Sequence, residues 1–513
     1  MAQEITTSSG GAGVRSLILS GTDMIVHSDV VLTSDDDHVL NAFGGNTVLV
    51  LAGASLHAFD AGFLNAAIEV ENDPNERTEI DIGKDAEVTA YGAAINVQGG
   101  VIGLVNHGRL VSRDLIGVEL LAESSKATNH GTIFGGFIGL RSWQNSDIVN
   151  FGDISGRSFG VALRQGGGTF DNFGRVEGEQ AVWLGDSAAP EAPNRFVNAG
   201  EVIGERHGVF IRVEEAEIVN SGLIVSAEAG VGTVHHPVGV ANVGTRFVNA
   251  GEVLSIDIAY QGGDGVDDIV NSGRMIGDIR LADADDRYVG RQGSVEGAVS
   301  GGAGADLIVG GAEENTFAGG GDDDVLRGRG GDDSLSGDAG EDTVNGGAGD
   351  DVVRGGTEDD RLLGKAGDDD LHGEDGLDLL LGHAGDDGLY GGAGGDALRG
   401  HAGDDVLGGG RGADLIIGGK GDDVMTGGQF IDTFVIRRRD GEDEITDFEN
   451  GTDVIDLQAF GLFAGQFNSV VAPALSSAGG GASFLDLDAM GGRGSVLIQG
   501  LAFSDADASD FIL

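Results

Sequence analysis

The chain is 513 residues long and carries 85 acidic against 30 basic side chains, a formal net charge of −55. So strong a polyanion is a poor partner for nucleic acid or an anionic membrane surface, and a natural one for cations. With 96 glycines but 5 prolines, 40% hydrophobic residues and no cysteine, it is neither collagen-like nor simply disordered, and disulfide staples and thiolate metal sites are excluded. The first residues, "MAQEITTSSGGAGV", have neither the basic start nor the apolar stretch of a conventional export signal. No apolar run approaches the ~20 residues of a spanning helix, so no membrane insertion is expected.

Residues 1–295 form one repeat system. The phrase V/I-N-x-G-x-apolar, with variants, returns at Asn106, Asn129, Asn150, Asn172, Asn198, Asn220, Asn249 and Asn271, at spacings of 21 to 29 residues. A second phrase, as in "GVEL", "GVAL" and "GVFI", follows most of them. Two or three short strands per repeat, turned at Asn and Gly corners, predict the coils of a parallel β-helix. Asparagine tolerates a left-handed corner, and stacked asparagines can hydrogen-bond from coil to coil. "NTVLVLAGASLHA" and "EIDIGKDAEVTA" read as earlier, less regular coils. The pattern resembles the passenger-like β-helices of bacterial surface proteins, a resemblance of architecture only.

Residues 296–435 obey a different period. From Gly301 to Val435 the chain divides into fifteen nine-residue units without an insertion, for example "GGAGDDVVR" and "GHAGDDGLY". Glycine heads every unit, and the eighth position is apolar from Ile308 to Phe434. The sixth position is aspartate except at Asn315: Asp306, Asp324, Asp333, Asp342, Asp351, Asp360, Asp369, Asp378, Asp387, Asp396, Asp405, Asp414, Asp423 and Asp432. Glycines permit a tight six-residue turn with positive φ, and the x-apolar-x remainder makes a short strand with one side chain inward. Such strands survive only when stacked into a spiral, which lines up carboxylates and bare carbonyls between turns. Oxygen donors alone suit a hard cation of calcium's size.

These units resemble the G-G-x-G-x-D-x-U-x nonapeptide of RTX proteins, whose parallel β-roll binds calcium. The resemblance implies an ion between the loops of units n and n+2, hence up to about 13 Ca2+ in this array. The ligands would be the sixth-position aspartates and loop carbonyls such as those of Gly328, Gly346, Gly349, Gly382, Gly385, Gly400, Gly403, Gly418 and Gly421. The block holds 31 acidic and 8 basic residues, so calcium loading would roughly neutralise it.

Residues 436–513 follow as a third region. "ITDFENGTDVIDLQAF" resembles the module that caps the roll in RTX proteins and serralysin-type proteases, and "DFIL" resembles the uncleaved signal of type I secretion substrates. Catalytic groups are thin. There is no H-E-x-x-H, and Ser158 in "GRSFG" belongs to a coil corner rather than a strand-to-helix elbow. His383 and His401 hold equivalent loop positions two units apart and read as solvated neighbours, and His235-His236 as an irregular loop. Tyr91, Tyr260 and Tyr288 assemble into no evident proton-transfer set. The expectation is therefore an all-β chain: a parallel β-helix, a calcium-binding β-roll and a β cap. It would be secreted through a type I apparatus, with a structural or interaction role as surface-layer, adhesin or filament-like material. Self-assembly or cell-surface polysaccharide would be its contacts. The alternative is a secreted polysaccharide lyase or epimerase using the β-helix.

Overall fold

The computed structural model describes residues 47–513, apart from 52, 59–65, 74, 123, 144, 165–166, 186–193, 213–215, 234–243 and 440, together with short strands within 3–43. His235 and His236 thus lie outside the described residues. Parallel β-strands dominate, and the chain is an all-β parallel solenoid with almost no helix. Among the described residues, no helix is long and apolar enough to cross a membrane. The chain divides into two compact units, residues 1–282 with 293–296, and residues 283–292 with 297–513.

The first unit is built of coils that pair in register. Val101–Asn106 pairs with Ser124–Asn129, and this with Ser146–Asn150, so that asparagine sits over asparagine. Each Nδ2 donates to the next Oδ1, from Asn106 to Asn129 at 2.7 Å through to Asn249 to Asn271 at 2.9 Å. All eight asparagines are buried, which makes the expected ladder a fully satisfied polar core. The left-handed corner is not found: none of the eight has positive φ. The glycines two residues on serve stacking instead. A Cβ on Gly131 would lie 2.0 Å from the Gly108 carbonyl oxygen, so any side chain there would force the coils apart.

In the second unit each nonad pairs with the one two units on. Ser334–Ala339 pairs with Val352–Thr357, and this with Asp370–Asp375. Alternate nonads thus form opposite edges, and every eighth-position side chain is buried between them. Most strands run six residues rather than three, because the first three positions of the following nonad also join the ladder, while Leu307–Val309, Val325–Arg327 and Thr433–Val435 stay at three. Positive φ falls at the second and fourth loop positions, as at Gly347 (128°) and Gly349 (129°). Beyond the array, Leu475–Gly479, Ala482–Asp486 and Gly494–Ile498 pair antiparallel, while Phe511–Ile512 lies parallel to Val454–Asp456.

Candidate metal-binding ladders

Asp351 shows how the sequence places its carboxylate. Its Oδ1 accepts the Asp333 N–H at 2.8 Å, and its own N–H donates to Asp369 Oδ1 at 2.9 Å. Oδ2 is buried and has no hydrogen-bond partner. A Cβ on Gly346, the head of the same unit, would fall 2.2 Å from that oxygen. The invariant glycine is therefore a space-maker for the carboxylate, without the positive φ of the loop glycines.

The same unit repeats along two edges. On one, Asp306, Asp324, Asp342, Asp360, Asp378, Asp396, Asp414 and Asp432 are joined N–H to Oδ1 at 2.7–3.0 Å. On the other, Asn315, Asp333, Asp351, Asp369, Asp387, Asp405 and Asp423 are joined at 2.8–3.0 Å. Both ladders run past the nonads. Asp286 donates to Asp306, Asp423 to Asp443 and Asp432 to Asp453. Sequence reasoning missed these three, although each stands two residues before a buried apolar side chain, at Tyr288, Ile445 and Ile455.

Burial works against ionisation here. It pushes Asp306, Asp342, Asp351, Asp378 and Asp387 up to about 6, against the lowering effect of the backbone hydrogen bond each accepts. By the same cause Asp324, Asp333, Asp360, Asp369, Asp396, Asp405 and Asp432 rise to about 7. Nearby carboxylates add to the rise in most of them. A row of half-desolvated carboxyls, each with one unpartnered oxygen, holds its charge best beside a cation.

The donor set fits a hard ion. Among the described residues no three His, Asp or Glu side chains converge. Each position instead offers one carboxylate oxygen beside stacked loop backbone. Gly328, Gly346, Gly382, Gly400 and Gly418 head their units within 2.0–2.2 Å, Cβ position to Oδ2, of the sixth-position carboxylate. Gly349, Gly385, Gly403 and Gly421 lie at positive φ in the loops, and a Cβ on Gly385 would be 1.9 Å from the Gly367 oxygen. The Gly346 carbonyl already accepts the Arg329 N–H at 2.7 Å.

The two edges are not equivalent. One carries an additional aspartate at the fifth position of successive units, Asp332, Asp350, Asp368, Asp386, Asp404 and Asp422, linked N–H to Oδ1 at 2.8–3.0 Å. The opposite edge has Asp323, Glu341 and Asp359, then Leu377, Gly395, Ala413 and Ile431.

A family model of the RTX calcium-binding nonapeptide repeat, four copies long, matches residues 300–335, 327–362, 354–389, 363–398 and 399–434. Residues 300–434 are RTX repeats. Calcium is thus the ion this array implies. No curated protein matches the chain. Among solved structures, the chain is similar to the AlgE6R3 subunit of the Azotobacter vinelandii mannuronan C5-epimerase, with 28% identity over 31% of this chain and 80% of that one, at a TM-score of 0.17.

Of the remaining candidates in the second unit, His383 and His401 come together. Ser158 sits in the turn between Asp153–Gly156 and Phe159–Leu163, and no helix follows it. Tyr260 and Tyr288 are buried in the interiors of their respective units, and the Tyr91 hydroxyl accepts from Arg113 Nη1 at 3.3 Å. His383 and His401 are neighbours, with parallel rings 4.9 Å apart.

Proposed function

We propose that calcium ions lie between the loops of units n and n+2 along both edges, held by the sixth-position aspartates through Oδ2 and completed by loop carbonyls. The observation that carries this reading is the two files of buried Oδ2 atoms from Asp306 to Asp432, which, Asp423 aside, lack hydrogen-bond partners, each facing a glycine that leaves it room. Bound calcium supplies the countercharge that lets those carboxyls ionise in a half-buried setting. On this reading the array orders at neutral pH only where calcium is plentiful, which is outside the cell.

The proposal extends to a secreted protein with a structural or interaction role at a bacterial surface or in the extracellular matrix. Its working divisions are the β-helix over 1–295, the roll over 296–435 and the cap with export signal over 436–513. Two measurements test it. Equilibrium dialysis of the full chain counts the ions, with up to about 13 expected, and a count near zero overturns the calcium reading. Removing the last ~50 residues should retain the chain inside cells that carry a type I exporter. Normal export of that truncated chain overturns the secretion reading while leaving the calcium reading intact.

A further inference from the structure

Several arginines of the first unit are paired off. Arg206 and Glu228 approach to 2.9 Å, Arg246 and Glu217 to 3.0 Å, and Arg274 and Glu296 to 2.6 Å. In the second unit basic side chains gather instead in one cleft. Arg399, His401, Lys420, Arg437, Arg438 and Arg439 line a cavity of about 460 Å³, with Ile417, Gly418 and Gly419 also in its lining. Arg399, Lys420 and Arg439 form no ion pair among the described residues. Arg438 is fixed by donating to the Ala459 and Phe460 carbonyls at 3.1 and 2.7 Å.

The cleft also has a flat wall. Lys365, His383, His401 and Gly419 occupy successive register positions on one edge, with Lys365 Nζ 3.1 Å from His383 Nε2 and the two imidazoles stacked. At Gly419 the side-chain file stops, leaving the outer face of His401 without a neighbouring ring.

We propose that this cleft binds an acidic sugar, its ring over His401 and its carboxylate or sulfate on the guanidinium groups. Arginine forks match both oxyanions, and the volume admits one or two sugar rings. The proposal rests on the extracellular setting of the proposed function. The net charge of −55 elsewhere disfavours a long polyanion lying along the chain and favours a short acidic end.

Calorimetry on the full chain in calcium tests this with trigalacturonate, a sulfated disaccharide and sodium sulfate. At least one sugar should bind, and the Arg399→Gln, Lys420→Gln double variant should weaken it about tenfold or more. His401→Ala should weaken the sugar but not inorganic sulfate. The relative affinities of the two sugars decide between carboxylate and sulfate. The proposal is overturned if neither sugar binds, if the variants bind as the parent does, or if only inorganic sulfate is held. It is equally overturned if the double variant changes self-association in sedimentation while no sugar binds, since the cleft then serves the carboxylates of a second copy. The calcium midpoint of each variant, read by circular dichroism, separates this failure from failure of the calcium reading. Lys420→Gln alone, at an exposed side chain, keeps the test open if the double variant misfolds.

Discussion

At Gly346 one added methyl group would decide whether the head glycine is there for space. Alanine would put its Cβ 2.2 Å from Asp351 Oδ2 and push the carboxylate out of its place. Gly346→Ala should therefore raise the calcium concentration at the folding midpoint, as Asp351→Ala should by removing the ligand. An unchanged midpoint for either, in a titration followed by circular dichroism, would mean that the ions bind elsewhere. Asn315 is the neutral member of its file, accepting from Gly311 N–H at 3.2 Å, and Asn315→Asp should lower the midpoint slightly. In the first unit Asn172 takes one ladder bond from Asn150 and gives one to Asn198, both at 2.8 Å. Asn172→Ala leaves two buried amide partners short and should cost about 2 kcal/mol in urea unfolding. Chemical logic reached these residues from the sequence because each recurs in a fixed phrase. It misjudged their backbone: asparagine and the head glycine were credited with special dihedrals, whereas the coil-to-coil hydrogen bond sets the asparagine and close approach sets the glycine.

At the scale of one ladder, protons and calcium compete for the same oxygens. Twelve of the sixth-position carboxyls are pushed by burial to about 6 to 7 in the metal-free fold, against ~4 for an unfolded aspartate. Between those values the folded array binds more protons than the unfolded chain, so metal-free folding is favoured as pH falls and loses that support as pH rises through about 7. Without calcium, β-type circular dichroism should accordingly grow between pH 7 and pH 5. At pH 5 calcium should add little further signal. A metal-free spectrum that does not change across that range would contradict the burial of these groups. Strand length was the least legible property of the ladder. Glycine-rich positions carry little strand propensity of their own, and only pairing with the unit two further on draws them into extended structure. The cationic cleft was hidden for another reason, since Arg399, Lys420 and Arg437 to Arg439 are separated in sequence and meet only through the spiral.

For the molecule as a whole, two stabilising schemes imply two responses to a chelator. The first unit rests on buried apolar stripes and the asparagine ladder, and the second on carboxylates awaiting countercharge. Hydrogen exchange on the full chain in chelator should leave amides around Asn150 to Asn249 protected while those from 300 to 434 exchange freely. Uniform loss of protection would undo that distinction.

Pairing of each nonad with the second one along has a further consequence, for how such an array can change length. A nonad is half a turn, so losing one transfers every later unit to the opposite edge. Deleting residues 346–354 would set Asp333 beside Asp360 and join the edge of paired aspartates to the one that carries Leu377, Gly395, Ala413 and Ile431. Deleting 346–363 would shorten both edges equally and keep every remaining unit on its own edge. The longer deletion should therefore be the milder, with the calcium midpoint nearer the parent's. Parity, more than length, is what recombination within this array has to respect.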